Sequence, residues 1–280
     1  MSRPKVLVLR TAGTNCDQET VFAWQQAGAA PERVHVRELM ESPSLLDDYA
    51  ILTIPGGFSY GDDIAAGKIL AMQIVHHLAE PLRRFVEKSR LVLGICNGFQ
   101  VLVKAGLLPG FASNGCAPLD PENPGTSRGG PDAAGAASRQ AVTLAHNDSA
   151  RFEGRWVHVK SSGRPNAFLP DERIMALPIA HGEGKLVSAD ERVRARLRGG
   201  GHVALTYCDA QGRPGPYPIN PNGSEDDVAG LVDATGRVLG LMPHPERHVD
   251  PRQHPEWTSR RSETADGRVF FETAVRNARA

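Results

Sequence analysis

Cysteine is scarce in this chain. Cys16, Cys96, Cys116 and Cys208 are scattered over 280 residues with no CxxC pair. That argues against a disulfide framework and against a cysteine-ligated zinc domain. An excess of one charge is also missing: 32 Lys and Arg balance 32 Asp and Glu. Such a balance leaves no electrostatic footprint for nucleic acid or for an anionic membrane. No window approaches the ~18 apolar residues of a membrane-spanning helix. The N-terminal segment lacks the plan of a signal peptide. No internal repeat is visible, and no GxxxxGK[ST] phosphate loop. His76, His77, His146, His158 and His202 have no metal-ligand spacing. A cytoplasmic enzyme or enzyme subunit remains, with 40% hydrophobic residues to build a full core.

What is present reads as an α/β chain. Residues 5–9 (KVLVL), 50–54 (AILTI) and 91–95 (LVLGI) are short apolar runs bounded by turn residues. Such runs suit strands buried on both faces. Helical spacing appears between them, over 18–27 and 64–78. Strand and helix alternating in this way predict a mostly parallel sheet with helices on both faces. Ligands then sit at the carboxyl ends of the strands. Residues 117–139 carry many Pro, Gly, Ala and Ser and almost no large apolar residue. They read as a flexible insertion, since they bury too little apolar area to offset ordering entropy. Further strands are expected at 156–159, 174–177, 202–207, 228–232 and 238–242, in a more antiparallel or mixed arrangement. A terminal helix is expected over 268–276.

The informative segment is 91–100, LVLGICNGFQ. A buried strand runs into Gly94-Ile95-Cys96-Asn97-Gly98, and a helix follows. This is the thiol counterpart of the G-x-S-x-G nucleophile elbow. The sharp turn strains the nucleophile's backbone, and the flanking glycines let strand and helix approach. The thiol sits at a helix N-terminus, whose dipole and free N–H groups favour a thiolate. The N–H of Asn97 is placed to meet a developing oxyanion. The bland alternative is that Cys96 is a small buried hydrophobe.

A thiol nucleophile needs a base, and the base needs an orienter. Residues 239–246 read LGLMPHPE: a second apolar strand ending in Pro243-His244-Pro245-Glu246. In an extended stretch, residues two apart project to the same side. Glu246 then accepts from one imidazole nitrogen while the other faces the thiol, which with Cys96 makes a nucleophilic triad. An exposed His and Glu on a loop is the alternative. Residues 53–63, TIPGGFSYGDD, follow the second buried strand. Gly56 and Gly57 there permit positive φ and can turn an N–H toward a ligand. A plain glycine turn is the alternative.

These residues resemble the class I, triad-type glutamine amidotransferases, a flavodoxin-like α/β fold. The match is closer to one family within them, the glutaminase subunits of phosphoribosylformylglycinamidine synthase. It is carried by RTAGTNCDQE (10–19), PGGFSYGDDIAAGKILA (55–71), GICNGFQVLVKAGLLPG (94–110), PIAHGEGK (178–185), NPNGSEDDVAGL (220–231) and GLMPHPER (240–247). The resemblance implies one amidotransferase domain over 1–280, interrupted by the insertion at 117–140. It implies Cys96 as nucleophile, His244 as general base and acid, and Glu246 as its orienter. Oxyanion donors would be the backbone of Gly57 and Asn97, and Gln100 would contact the bound glutamine. The loop 181–185 would border either the glutamine pocket or a partner interface. No metal or cofactor is implied for this chain. ATP and magnesium would be used by a large synthetase partner, joined in many bacteria by a small bridging subunit. Ammonia freed from L-glutamine would convert formylglycinamide ribonucleotide to its amidine in purine biosynthesis.

Two other readings stay open from the residues alone. A stand-alone cysteine hydrolase would need no partner and should not require the HPE turn. A non-catalytic relative would be expected to lose Cys96, His244 or Glu246. Cys16 reads as structural or interfacial, since no elbow surrounds it, and Cys116 and Cys208 as ordinary cysteines. Arg83 and Arg84 read as a solvated helix face. Gly154 departs from the family, in which cysteine is common there.

Overall fold

The computed structural model describes residues 3–111, 140–162, 164–169, 172–259 and 265–278. Cys116 and residues 117–139 of the expected insertion lie outside the described residues.

Eleven strands and six α-helices are found among the described residues. The strands are β1 (Lys5–Arg10), β2 (Ala30–His35), β3 (Ile51–Ile54), β4 (Leu91–Ile95), β5 (Val142–His146), β6 (Glu153–Ser161), β7 (Ile174–His181), β8 (Glu183–Ser188), β9 (Val203–Cys208), β10 (Val228–Val232) and β11 (Val238–Leu241). The helices are α1 (Asp17–Gln26), α2 (Val36–Glu41), α3 (Lys68–Glu87), α4 (Asn97–Lys104), α5 (Glu191–Gly199) and α6 (Arg268–Asn277).

Nine strands form one sheet in the order β2-β1-β3-β4-β11-β10-β9-β6-β7, while β5 and β8 pair separately. The first five are mutually parallel. The remaining pairs are antiparallel. The antiparallel half is therefore a continuation of the parallel sheet, as the mixed patterning of the C-terminal half suggests. β3, β4 and β11 are buried along their whole length, which parallel strands covered on both faces require.

Chain direction sets the two layers. From β1 the chain crosses to β2 on one side, and from β3 to β4 on the other. Right-handed crossovers then put α1 and α3 on opposite faces. α1 packs with α6, where the Trp24 and Phe271 rings meet edge to face at 4.9 Å. α3 packs with α4 on the other face. Trp24 Nε1 also donates to Thr53 Oγ1 at 3.0 Å, tying α1 to β3. The reversal of strand order between β1 and β3 opens a crevice at their carboxyl ends, the usual place for a ligand in such sheets.

β2 was not expected from the sequence. Its residues APERVH contain a proline and bury only Val34. An edge strand tolerates both, because one side of its backbone needs no partner. α3 starts and ends later than the 64–78 pattern suggests, and α4 begins at Asn97, directly after Cys96.

Candidate active site

Cys96 leaves β4 with φ +52° and ψ −106°. An L-residue there is strained by roughly 1–3 kcal/mol and persists only if its surroundings enforce it. The glycines explain how. A Cβ on Gly98 would overlap the carbonyl oxygen of Ile54, and one on Gly94 would lie 2.7 Å from Gly98 O. Only bare backbone lets α4 come this close to β3 and β4. Cys96 N–H donates to Leu241 O at 2.8 Å, which locks the elbow to the end of β11. The thiol is buried and faces the Ala180 carbonyl at 3.6 Å. Asn97 is the first residue of α4, and N–H groups of a first helical turn have no intrahelical acceptor.

β11 pairs in parallel with β4, Leu241 opposite Ile95, so the two loops emerge side by side. His244 N–H donates to Pro178 O at 2.8 Å, fixing the loop against β7. One expectation needs correction here. His244 and Glu246 do not lie in an extended stretch, because Pro245–Arg247 is a 3-10 turn. Proline's fixed φ suits the first position of such a turn. The turn still brings the side chains together: His244 Nδ1 and Glu246 Oε1 are 2.6 Å apart, and both residues are buried. A carboxylate only accepts, so Nδ1 carries the proton and Nε2 is the available nitrogen. Nε2 is buried with no protein partner. Burial opposes charge on this imidazole. The Glu246 carboxylate, with the Cys96 and Cys16 thiols beside the ring, outweighs it and holds His244 well above the usual histidine range.

The loop after β3 closes the third side. Gly57 has φ +144°, and a Cβ there would lie 2.6 Å from Gly13 O. Thr14 and Gly57 form a single antiparallel bridge, and Cys16 N–H donates to Gly56 O at 3.2 Å. The glycine pair is thus latched to the loop after β1. The Asn97 side chain organises the floor: its Oδ1 accepts from Ser59 N, and its Nδ2 donates to Asp62 Oδ1 and Gln100 Oε1. Gln100 Nε2 donates to Glu183 O at 2.6 Å. Both ends of the Gln100 amide are therefore held by the protein, and the side chain forms cavity wall. Two cavities of about 220 and 320 Å³ share Cys96, Gly57, Phe58, Phe152 and Ala180. Phe58 and Phe152 stand half exposed at their mouth.

The family model for the CobB/CobQ-like glutamine amidotransferase domain matches residues 3–277. A protein of Dehalococcoides mccartyi named phosphoribosylformylglycinamidine synthase subunit PurQ is 41% identical over 282 residues, covering 100% of this chain and 99% of its own. The chain belongs to the PurQ family of glutamine amidotransferases. A Methanococcus maripaludis protein of the same name is 40% identical over 256 residues, with 91% of this chain and 86% of that one covered. Among solved structures, PurLQS from Thermotoga maritima matches with a TM-score of 0.68 and 27% identity over 98% of this chain and 99% of that chain.

Three features of this PurQ-family site were not legible beforehand. Cys16, on the loop after β1, is buried and touches Arg247 Nη2 at 3.1 Å. Arg247 in turn binds Glu19 Oε1 at 3.1 Å. Cys16, His244 and Glu246 lie close enough together to offer three metal-ligand atoms. The donor set does not favour a cation, because the Arg247 guanidinium already holds the thiol and Nδ1–H already serves Glu246. His181 is buried at the end of β7 and lines the smaller cavity. Asp62 lines it too, its carboxyl pushed up by burial against the hydrogen bonds from Gly67 and Asn97. No sequence signal links Cys16 to His244, which only the fold brings together. The loop 181–185 meets the cavity through His181, Gly182 and Glu183. Gly154 is exposed on β6. No helix among the described residues is long and apolar enough to cross a membrane.

Proposed function

We propose that this chain is the glutamine-hydrolysing subunit of phosphoribosylformylglycinamidine synthase. One amidotransferase domain over 1–280 would serve it, working through Cys96, His244 and Glu246. The observation that carries this reading is the convergence of three strand-end loops. The ends of β3, β4 and β11 bring Gly57, Cys96 and His244 to one pair of joined cavities.

The Cys96 thiolate attacks the carboxamide carbon of glutamine, forming a C–S bond and moving the carbonyl π pair onto oxygen. The backbone N–H groups of Gly57 and Asn97 receive that oxyanion. Each such donor is worth about 3–4 kcal/mol of transition-state stabilisation. His244, kept charged by Glu246, gives its Nε2 proton to the leaving nitrogen as the C–N bond breaks. Ammonia departs and a γ-glutamyl thioester remains. His244, now neutral, takes a proton from water as the water attacks the thioester. The C–S bond breaks, glutamate leaves, and the thiolate and imidazolium are restored. Gln100, held by Asn97 and Glu183 in the cavity wall, contacts the bound glutamine.

The named relatives belong to phosphoribosylformylglycinamidine synthase, and the related Thermotoga maritima structure is PurLQS. On that basis the ammonia goes to a large synthetase subunit with a small bridging subunit beside it. The synthetase uses ATP and magnesium to activate the amide of formylglycinamide ribonucleotide. The exposed Phe58 and Phe152 at the cavity mouth suit cover by such a partner. The test is glutamate release from glutamine, by the chain alone and with the synthetase, bridging subunit, ribonucleotide and ATP. Activation in the full mixture supports the reading. Folded protein that releases no glutamate in either case removes it.

A further inference from the structure

His181 is a buried histidine with one nitrogen assigned and the other unspent. Asn147 fixes the assignment. Its Nδ2 donates to the carbonyls of Arg151 and His181, both at 2.9 Å. Its Oδ1 accepts from Gly184 N at 3.1 Å and faces His181 Nδ1 at 3.1 Å. The amide cannot be reversed without opposing donors to donors, so Nδ1 of His181 carries the proton. Nε2 is then a lone pair. It is buried, has no protein partner, and belongs to a residue that lines the cavity with Cys96. Burial, and then the positive field of His244, push this imidazole down to about 3. It stays neutral across physiological pH, and its Nε2 offers the cavity an acceptor.

The surroundings say what it accepts from. The same cavity is lined by the carboxylate residues Asp62 and Glu183, by His146, whose Nε2 lies 3.8 Å from Glu183 Oε1, and by no Lys or Arg among the described residues. A wall with two carboxylates and an imidazole lone pair offers a ligand acceptors rather than donors. It suits a cation that carries N–H. Glutamine has one such group, its α-ammonium. We propose that Nε2 of His181 accepts a hydrogen bond from the α-ammonium of bound glutamine, with Asp62 and Glu183 supplying the counter-charge. This rests on the glutaminase reading above, and it makes His181 a specificity residue for an α-amino substrate, distinct from the groups that act on the carboxamide.

The test compares glutamine with glutaramate, which keeps the carboxamide and carboxylate but lacks the amino group. Both are assayed with the assembled synthase carrying wild-type chain, His181→Leu or His181→Gln. Loss of a hydrogen bond to a charged group is expected to raise the glutamine KM of His181→Leu roughly 10- to 100-fold. Its glutaramate KM should stay within about 3-fold, and His181→Gln, which keeps an acceptor, should recover most of the loss. An equal effect on both substrates, or none on glutamine, overturns the proposal while leaving the glutaminase reading standing. A wild-type assembly that hydrolyses neither substrate overturns that reading instead. A second measurement needs no change at His181. The ¹⁵N resonance of its Nε2, in an assembly carrying Cys96→Ala, should move on adding glutamine and hold still with glutaramate. Movement with both, or with neither, refutes the proposal.

Discussion

Glu246→Gln tests whether the buried His244–Glu246 pair drives the chemistry. The two atoms are 2.6 Å apart, and neither side chain reaches solvent. Glutamine keeps the size and one acceptor oxygen but removes the charge. Breaking a buried pair by neutralising one partner costs about 3–5 kcal/mol, because the remaining charge is left uncompensated. Here the uncompensated charge is the imidazolium that, in the proposed mechanism, protonates the leaving nitrogen. If that cost falls wholly on the barrier, the rate drops by about 10²–10⁴. There is a second signature. His244 stands above the ordinary histidine range because Glu246 outweighs burial. Without that charge burial prevails, and the alkaline limb of the activity profile should move to lower pH. The assay is glutamate release by the assembled synthase across pH 6–9, with circular dichroism to show that the variant is folded. A folded Glu246→Gln enzyme that loses less than about 10-fold, with an unmoved alkaline limb, would refute the reasoning.

Three further outcomes follow from other parts of the structure. Gly98→Ala places a Cβ on the Ile54 carbonyl and must push α4 off β3. A displacement of that kind near the nucleophile should cost about 10² or more in glutaminase rate, and an unchanged rate would contradict the account of the elbow. Asp233 Oδ1 accepts from Arg237 N and Val238 N, both at 2.9 Å, at the start of β11. Asp233→Ala strands Val238 N and leaves Arg237 N only the longer bond to Thr235 Oγ1 at 3.3 Å, and should lower unfolding stability by about 2–4 kcal/mol in urea titrations, with activity per folded molecule retained. His181 is held down to about 3 from 6.5, so the unfolded chain binds a proton below about pH 6.5 that the folded chain refuses. Its contribution is whole above that pH and drains away as pH falls. Between pH 7 and 5 the wild type should therefore lose about 2 kcal/mol more stability than His181→Gln, measured by urea unfolding at both values.

The parallel half of the fold was readable because its signals are local. Residues 5–9, 50–54 and 91–95 each state a buried strand in five letters, and β1, β3 and β4 occupy them. The elbow was readable for the same reason, since Gly94, Cys96 and Gly98 act on one another within a single turn. β2 was not, because an edge strand with a proline and one buried side chain has no apolar pattern to show. Nor were β5 and β8, a short pair set apart from the main sheet. The His244–Glu246 contact was expected, but from an extended stretch, whereas the structure makes it through a turn begun by Pro245. In the sequence Cys16 reads as structural or interfacial. It is buried, yet it lies against Arg247 and beside His244, an adjacency across more than two hundred residues of sequence. His181 carried no more than an undecided loop, because its meaning depends on Asn147 fixing which nitrogen is left over.

The central claim is that Cys96 attacks glutamine in a subunit whose ammonia is used by a synthetase. The most direct measurement is glutamate release by the full synthase mixture, run with wild-type chain and with Cys96→Ala. The account predicts strong release that depends on the synthetase, ribonucleotide and ATP, and its loss in Cys96→Ala while added ammonia still supports amidine formation. Glutamate release that survives in Cys96→Ala would contradict it.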